Sequence, residues 1–196
     1  MIDTYIILAL LWIAYGFIHS FFAVPSVKTV LLKSFNASES SYRIAYNLFA
    51  FASLAGVLFF QSKITSNNLY QVNFYTEIIS MILIVTGITI MVICILKYFK
   101  QLSGIENEVK ARKLEVTGIH KFVRHPLYLG TFLFLIGLFL WFPYISNLIT
   151  VSVIIIYTLI GIHFEERKLV EKFGADYIMY RQKVPMILPL FKRMPI

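Results

Sequence analysis

Two short segments of the sequence bring basic, acidic and aromatic side chains to the ends of apolar runs. In the first segment, Arg124 and His125 directly precede Pro126. Proline is favoured at the first position of a helix, where its missing N–H costs no hydrogen bond, so a helix is predicted to begin at Pro126. The free N–H groups of this helix start and Arg124 form a positive pocket that suits a carboxylate or a phosphate. Alternatively, Arg124 and His125 only anchor a helix end at a lipid–water interface.

In the second segment, Glu165 and Glu166 come directly after an apolar run. Acidic side chains at membrane depth are expensive unless they are paired or functional. If the helix that begins at Pro126 forms a hairpin with the apolar run before Glu165, then Arg124 and His125 lie at the same depth as the two glutamates. Two interpretations remain open: an ion pair that closes the hairpin, or a carboxylate that orients the ammonium or the ribose hydroxyls of a cofactor.

A short amphipathic helix is predicted after the two glutamates. Gly174 is predicted to end a helix that starts at Glu165. Tyr177, Tyr180 and Arg181 then share one face by their three- and four-residue spacing. We expect this C-terminal helix to lie on the membrane and close the pocket, although a belt of interfacial tyrosines would give the same pattern.

Composition sets the architecture that must position these groups. The 196 residues are 59% hydrophobic and 14% charged, with a mean hydropathy of +0.77, whereas soluble domains carry about 25% charged residues. A bilayer core about 30 Å thick needs roughly 20 apolar residues as helix. The sequence therefore predicts an all-α, polytopic membrane protein that forms one domain over residues 1–196. About five transmembrane helices are predicted, at about residues 4–24, 44–60, 78–96, 126–142 and 147–164.

The last two spans share an uncharged block of residues. Pro143, Ser146 and Asn147 mark a turn inside that block, because proline cannot continue a helix and asparagine suits a tight bend. A helical hairpin of two rather short helices is predicted here.

The basic residues predict the orientation of the chain. Of its 18 lysines and arginines, all except Lys63 lie in the first loop, the third loop and the C-terminal tail. Because basic loops face the cytoplasm, we expect the N-terminus outside and the C-terminus inside. The net charge is +8, and the basic residues that produce it flank apolar spans. This placement indicates membrane lipids, and not nucleic acid, as the partner.

The single cysteine, Cys94, excludes an internal disulfide framework, and no metal site is predicted.

The order of the polar motifs is more specific than any one of them. R-H-P-x-Y-x-G, an apolar hairpin, E-E-x-x-L, F-G-x-x-Y-x-x-Y and V-P-x-x-x-P follow one another between Leu114 and Pro189. This order resembles the isoprenylcysteine carboxyl methyltransferase and phospholipid methyltransferase superfamily. The resemblance implies a membrane-embedded enzyme whose hairpin and C-terminal segment, residues 114–189, enclose S-adenosylmethionine, while the substrate enters from the lipid.

The resemblance also implies the residues of the site. Those implied in cofactor binding are Gly118, His120, Arg124, His125, Tyr128, Leu129, Gly130, Glu165, Glu166, Tyr177 and Tyr180. Catalytic roles are implied for Arg124, His125 and Glu166. The family commonly has tyrosine where this chain has His120, so the role of that position is open.

The N-terminal half resembles one branch of the superfamily. L-W-I-A-Y-G-F-I-H-S-F-F-A and Y-R-I-A-Y-N-L-F-A are similar to NnrU-type proteins and methanethiol S-methyltransferases. His19 in the first motif is an ionisable residue inside a span, near Trp12 and Tyr15. Such a histidine is either functional or hydrogen-bonded to a neighbouring helix.

The predicted function is methyl transfer from S-adenosylmethionine to a small or lipophilic acceptor, which can be a thiol, a carboxylate or a lipid amine. The alternative is a non-enzymatic NnrU-like accessory protein of a redox or denitrification system. Membrane sterol reductases share part of the architecture but have about twice as many spans as are predicted here, so this class is not favoured. The compact chain and the NnrU-like N-terminus indicate a prokaryotic inner membrane.

Overall fold

The computed structural model describes residues 2–102 and 114–189, with residues 98–102 described by their backbone alone. This part of the chain is all helical and has no strands, which confirms the predicted fold class. A short 3-10 turn covers Gly118–Lys121. The α-helices are α1 (Ile2–Ala23), α2 (Pro25–Ser34), α3 (Glu39–Ser62), α4 (Phe74–Leu102), α5 (Pro126–Trp141), α6 (Ile145–Phe173) and α7 (Ala175–Lys183).

Four of these helices are long and apolar enough to cross a membrane: α1, α3, α4 over Phe74–Lys97, and α6. Helix α5 is apolar but has only 16 residues. At 1.5 Å per residue it is about 24 Å long, somewhat less than the hydrocarbon core. Large apolar side chains such as Phe51 and Phe59 are mostly exposed on α3, as expected for a helix that faces lipid. The protein is therefore a multi-pass membrane protein.

The structure corrects two helix boundaries. Pro25 ends the first span as predicted, but it also begins α2, where it occupies the first helical turn. The second helix of the hairpin is not short, because α6 runs for 29 residues through both glutamates to Phe173. The expected helix start at Glu165 was therefore wrong. The apolar pattern stops at Phe164, but the Glu, Arg, Lys and Leu residues that follow are strong helix formers and continue the helix.

The described chain forms two compact units, of which the first comprises residues 2–69 and 144–157. Helices α1 and α3 contact each other in this unit. Its buried apolar cluster is Leu8, Trp12 and Val57. The side chain of Gln61 on α3 donates to Asn147 at 2.8 Å and accepts from Thr150 at 2.8 Å, which ties α3 to the start of α6.

The second unit comprises residues 70–102, 114–143 and 158–189 of the described chain and contains α4, α5 and α7. Small residues bring α4 and α5 into backbone contact: a Cβ atom on Gly87 would lie only 2.6 Å from the carbonyl oxygen of Gly130. The Ser80 hydroxyl donates to the carbonyl of Gly137 at 2.5 Å. Close approach of this kind is typical of helix pairs in membranes. It fixes the direction in which the start of α5 points. The single domain predicted from the sequence stays a prediction.

Candidate functional site

An ion pair between Arg124 and Glu166 connects the start of α5 to α6. Nη2 and Nε of Arg124 lie 2.6 Å and 2.7 Å from Oε1 of Glu166, and the two side chains are only 9% and 11% exposed. Nη1 of Arg124 donates to the backbone carbonyls of Arg181 at 3.1 Å and Val184 at 2.5 Å. The guanidinium therefore joins three parts of the second unit: the start of α5, α6 and the segment at the end of α7.

His125 completes the surroundings of the Glu166 carboxylate. Its Nε2 lies 3.2 Å from Oε1 of Glu166, and its side chain is 4% exposed. Nη1 of Arg181 lies 3.9 Å from Oε2. Removing a carboxylate from water is costly unless cations and hydrogen-bond donors surround it. Glu166 is surrounded in this way, so its negative charge is compensated within the protein.

Glu165, the neighbouring residue, has a different environment. Its carboxylate accepts a hydrogen bond from the Tyr128 hydroxyl at 3.0 Å, and the side chain is 45% exposed. Nδ1 of His125 lies 4.0 Å away, and no lysine or arginine of residues 2–97 and 114–189 comes that close. The two adjacent glutamates thus differ: one is buried and compensated, and the other is held in place but accessible.

The chain after α6 is fastened to the segment before α5. Gly174, with φ of +55°, ends α6 as predicted and lets the backbone turn into α7. The backbone N–H groups of Arg124 and His125 donate to the carbonyls of Pro185 at 2.9 Å and Met186 at 3.1 Å. The Tyr180 hydroxyl donates to the carbonyl of His120 at 2.7 Å. These bonds hold the C-terminal segment beside the Arg124–Glu166 pair.

Tyr177 of α7 is 1% exposed, and its hydroxyl lies beside Glu166 and Arg124 without a hydrogen bond of regular geometry in the described chain. Burial raises the pKa of this phenol, and the negative charge of Glu166 raises it further, so the hydroxyl keeps its proton. A buried polar group without a partner is costly and calls for an explanation. A ligand that accepts a hydrogen bond from the Tyr177 hydroxyl would explain why this group is buried without a regular hydrogen bond of its own.

The turn before α5 carries a second polar cluster. Gly118 has φ of +61°, a conformation that favours glycine. The Glu115 carboxylate accepts hydrogen bonds from the hydroxyl and the backbone N–H of Thr117, and it lies 3.2 Å from Nζ of Lys97. The hydrogen bond from the Thr117 hydroxyl is the main cause that lowers the pKa of Glu115. Burial lowers the pKa of His120, and the positive charge of Lys97 lowers it further. His120 is therefore neutral at pH 7.

Comparison with known proteins decides the family. The family model described as NnrU protein matches residues 7–188, nearly the whole chain. The chain belongs to the NnrU family. The predicted superfamily and branch are thereby confirmed.

Curated relatives of this NnrU-family chain are methyltransferases by name. It is 38% identical over 86 residues to the methanethiol S-methyltransferase of Crocosphaera subtropica, covering 43% of this chain and 32% of that protein. It is 41% identical over 73 residues to methanethiol S-methyltransferase 1 of Bradyrhizobium diazoefficiens, covering 36% and 24%. It is 38% identical over 82 residues to the protein-S-isoprenylcysteine O-methyltransferase of Schizosaccharomyces pombe, covering 41% and 35%. The chain thus spans about a third or less of these relatives, and no solved structure matches it.

The structure of the NnrU-family chain brings five of the eleven predicted cofactor-binding residues into one cluster of polar contacts. Glu166 contacts Arg124 and His125, whereas Glu165 accepts a hydrogen bond from Tyr128 and lies 4.0 Å from His125. Their role in cofactor binding stays a prediction. For Gly130 the structure offers a packing reason, because a Cβ atom there would lie 2.9 Å from the Gly87 carbonyl oxygen on α4.

Sequence reasoning missed the backbone partners of Arg124. The carbonyls of Arg181, Val184, Pro185 and Met186 all accept from Arg124 or His125. A carbonyl oxygen is present at every residue, so no residue type marks it in advance. The one usable signal was the V-P-x-x-x-P motif itself, which begins at Val184.

His19 of the NnrU-family chain has a partner on a neighbouring helix in the first unit. The Tyr46 hydroxyl of α3 lies 3.0 Å from both ring nitrogens of His19, and the Tyr15 ring stacks on the imidazole at 5.9 Å. This is the hydrogen-bonded arrangement that the sequence left open beside a functional one.

Proposed function

We propose that this chain is a membrane methyltransferase that moves a methyl group from S-adenosylmethionine to a small or lipophilic acceptor. The observation that carries the proposal is the contrast between the buried, compensated Glu166 and the accessible Glu165 beside it. The names of the relatives indicate the reaction class, since they describe methyl transfer to sulfur or to oxygen. On this proposal, the acceptor is a thiol, a carboxylate or a lipid amine, and the site faces the cytoplasm of a prokaryotic cell.

The residues present suit S-adenosylmethionine. Its ammonium and ribose hydroxyls need an acceptor, and the half-exposed Glu165 carboxylate is available for them. The buried Tyr177 hydroxyl makes no hydrogen bond of regular geometry among the described residues, although Glu166 and Arg124 lie beside it, and it can donate to a ligand oxygen or nitrogen. The start of the 16-residue helix α5 has partial positive charge that suits the cofactor carboxylate.

Arg124 and Glu166 are positioning residues in this proposal. Of the five N–H groups of a guanidinium, four are directed at Glu166 and at the carbonyls of Arg181 and Val184. Arg124 thus has one N–H left for an anion, and its main task is to hold the hairpin and the C-terminal segment together. His125 lies between the two glutamates: its Nε2 is within hydrogen-bond distance of Glu166, and its Nδ1 is 4.0 Å from Glu165.

When bound, S-adenosylmethionine supplies a methyl group that is already activated on its sulfonium. The protein then has to position the acceptor in line and exclude water, which explains why the cluster holds binding groups and no nucleophile–base pair. Tyr128 fixes the rotamer of Glu165, and α7 with Tyr177 and Tyr180 covers the cluster. A carboxylate or thiolate acceptor needs no strong base, whereas an amine must first lose a proton.

Isothermal titration of the purified, folded protein with S-adenosylhomocysteine tests the proposal. We expect saturable binding that Glu165→Gln weakens at least tenfold, which corresponds to about 1.4 kcal/mol. Glu171→Gln is the matched control, because Glu171 is an exposed glutamate on the same helix, and it should bind as the wild type does. A non-enzymatic accessory protein would bind no S-adenosylhomocysteine while folded, and that result would remove the proposal.

A further inference from the structure

Lys63 is the one basic residue outside the three basic segments of the sequence, and in the structure it lines a cavity of the first unit. This cavity has a volume of about 240 Å³. Its other lining residues are Thr4 and Tyr5 near the start of α1, and Ile64 and Thr65 just beyond the end of α3. None of these residues belongs to the cluster around Arg124.

The residues that line this cavity carry hydrogen-bond donors and one cation without a carboxylate partner among the described residues. Its lining residues carry three hydroxyls, on Thr4, Tyr5 and Thr65, and the ammonium of Lys63. Within the described residues no carboxylate lies within 4.0 Å of that ammonium, which instead lies 5.1 Å from the centre of the Phe59 ring. A compact cation beside several hydroxyls favours an anion with more than one acceptor oxygen.

Neighbouring contacts hold one wall of the cavity in place. The Tyr5 hydroxyl lies 3.2 Å from Oγ of Ser66, and Ser66 Oγ accepts from the backbone N–H of Ser146 at 3.0 Å. Tyr5 on α1 is thereby fixed relative to the chain that follows α3. Little further ordering is needed when an anion binds, which favours affinity.

The lengths of the two helices place the cavity at the edge of the bilayer. Helices α1 and α3 have 22 and 24 residues and both qualify as membrane spans. At 1.5 Å per residue they are about 33 and 36 Å long, slightly longer than a hydrocarbon core of about 30 Å. The first turns of α1 and the residues after α3 therefore lie at the level of the lipid headgroups, where phosphate is abundant.

We propose that this cavity binds the phosphate of a phospholipid headgroup, with Lys63 as its counter-ion and the three hydroxyls as donors. The binding is independent of methyl transfer. Asp3 is exposed beside Thr4 in the first turn of α1 and repels an anion. On this proposal Asp3 weakens the binding of the anion, so replacing it with a neutral residue should strengthen binding, whereas replacing Lys63 should weaken it.

Thermal unfolding of the full chain in detergent, with increasing phosphatidylglycerol, tests the proposal. We expect the lipid to raise the Tm of the wild type until the effect saturates. Lys63→Gln should require at least tenfold more lipid than the wild type for the same shift in Tm. Asp3→Asn should require less lipid than the wild type. Lys33→Gln removes an exposed lysine of α2 that does not line the cavity and should respond as the wild type does. Equal lipid responses of Lys63→Gln and Lys33→Gln would overturn the proposal.

Two further measurements complete the test. One distinguishes a lipid headgroup from free phosphate as the bound anion, and the other keeps the proposal testable if Lys63→Gln does not fold. Inorganic phosphate is titrated against sodium chloride at matched ionic strength, and stabilisation by phosphate but not by the lipid would overturn the lipid assignment. Tyr5→Phe removes one donor with little change in volume and should weaken the lipid response severalfold. If Lys63→Gln does not fold, an unchanged lipid response of Tyr5→Phe overturns the proposal on its own.

Discussion

Nη2 of Arg124 lies 2.6 Å from Oε1 of Glu166, and both side chains are about nine-tenths buried. The two residues are 42 positions apart in the sequence, so the contact is made only when α5 and α6 come together. Breaking a buried ion pair by removing one partner costs about 3–5 kcal/mol, because the other charge is left without compensation. We therefore expect Glu166→Gln to unfold at a much lower temperature than the wild type. The matched control Glu171→Gln should change stability by less than about 0.5 kcal/mol. Equal Tm values for the two variants would show that the pair does not hold the hairpin.

The Tyr128 hydroxyl should matter for cofactor binding more than for folding. It donates to Glu165 at 3.0 Å, near the accessible side of the cluster. Tyr128→Phe removes this bond but keeps the ring, so Glu165 loses its fixed rotamer. A typical hydrogen bond is worth about 0.5–1.5 kcal/mol, which corresponds to roughly a three- to tenfold weaker affinity for S-adenosylhomocysteine in calorimetry. An unchanged affinity would show that Glu165 needs no orientation by Tyr128.

Tyr177→Phe should separate stability from binding. The hydroxyl is buried beside Glu166 and Arg124 and makes no hydrogen bond of regular geometry in the described chain, so its removal should change the Tm of the free protein little. The same change should weaken S-adenosylhomocysteine binding, because the ligand loses a donor. Differential scanning calorimetry with and without the ligand measures both effects. A lower Tm without ligand, at unchanged affinity, would assign the hydroxyl to the fold.

Gly87 and Gly161 should respond to alanine in opposite directions. A Cβ atom on Gly87 would lie 2.6 Å from the Gly130 carbonyl oxygen and 2.7 Å from the Phe134 nitrogen, whereas a Cβ atom on Gly161 meets nothing within 4 Å. Forcing extra volume into a close contact costs about 1–3 kcal/mol. Gly161→Ala in α6 should instead stabilise the helix by up to about 1 kcal/mol. If thermal unfolding ranked Gly87→Ala as stable as Gly161→Ala, the close contact of α4 and α5 would be refuted.

His120 should make the protein less stable in mild acid. Its pKa is lowered in the folded state, chiefly by burial, whereas an unfolded histidine titrates near about 6.5. Below that pH the unfolded chain binds the proton more readily, so this contribution to stability is lost as the pH falls toward the folded pKa. An unfolded histidine changes its charge between about pH 7.5 and about pH 5.5. We expect the fall in Tm between these two pH values to be smaller for His120→Asn than for the wild type. An identical difference in the two proteins would contradict the lowered pKa.

The sequence predicted those parts of the molecule that residue type and spacing encode. Pro126 marked the start of α5, and charges at the ends of adjacent apolar runs were enough to predict that Arg124 and Glu166 meet. The extent of α6 was missed, because apolar periodicity ends at Phe164 while the polar residues after it continue the helix. The carbonyl partners of Arg124 were missed because main-chain acceptors have no signature in the sequence. Whether the cluster binds a cofactor stays a prediction.

The most direct test of the proposed function is methyl transfer from radiolabelled S-adenosylmethionine by the purified chain in lipid. Small thiols, prenylated carboxylates and lipid extracts are offered as acceptors, and the label is measured in each product. We expect transfer to at least one acceptor, with kcat/KM at least tenfold lower for Glu165→Gln and unchanged for Glu171→Gln. Folded protein that labels no acceptor, or that labels one equally well in both variants, would contradict a methyltransferase site at the Arg124–Glu166 cluster.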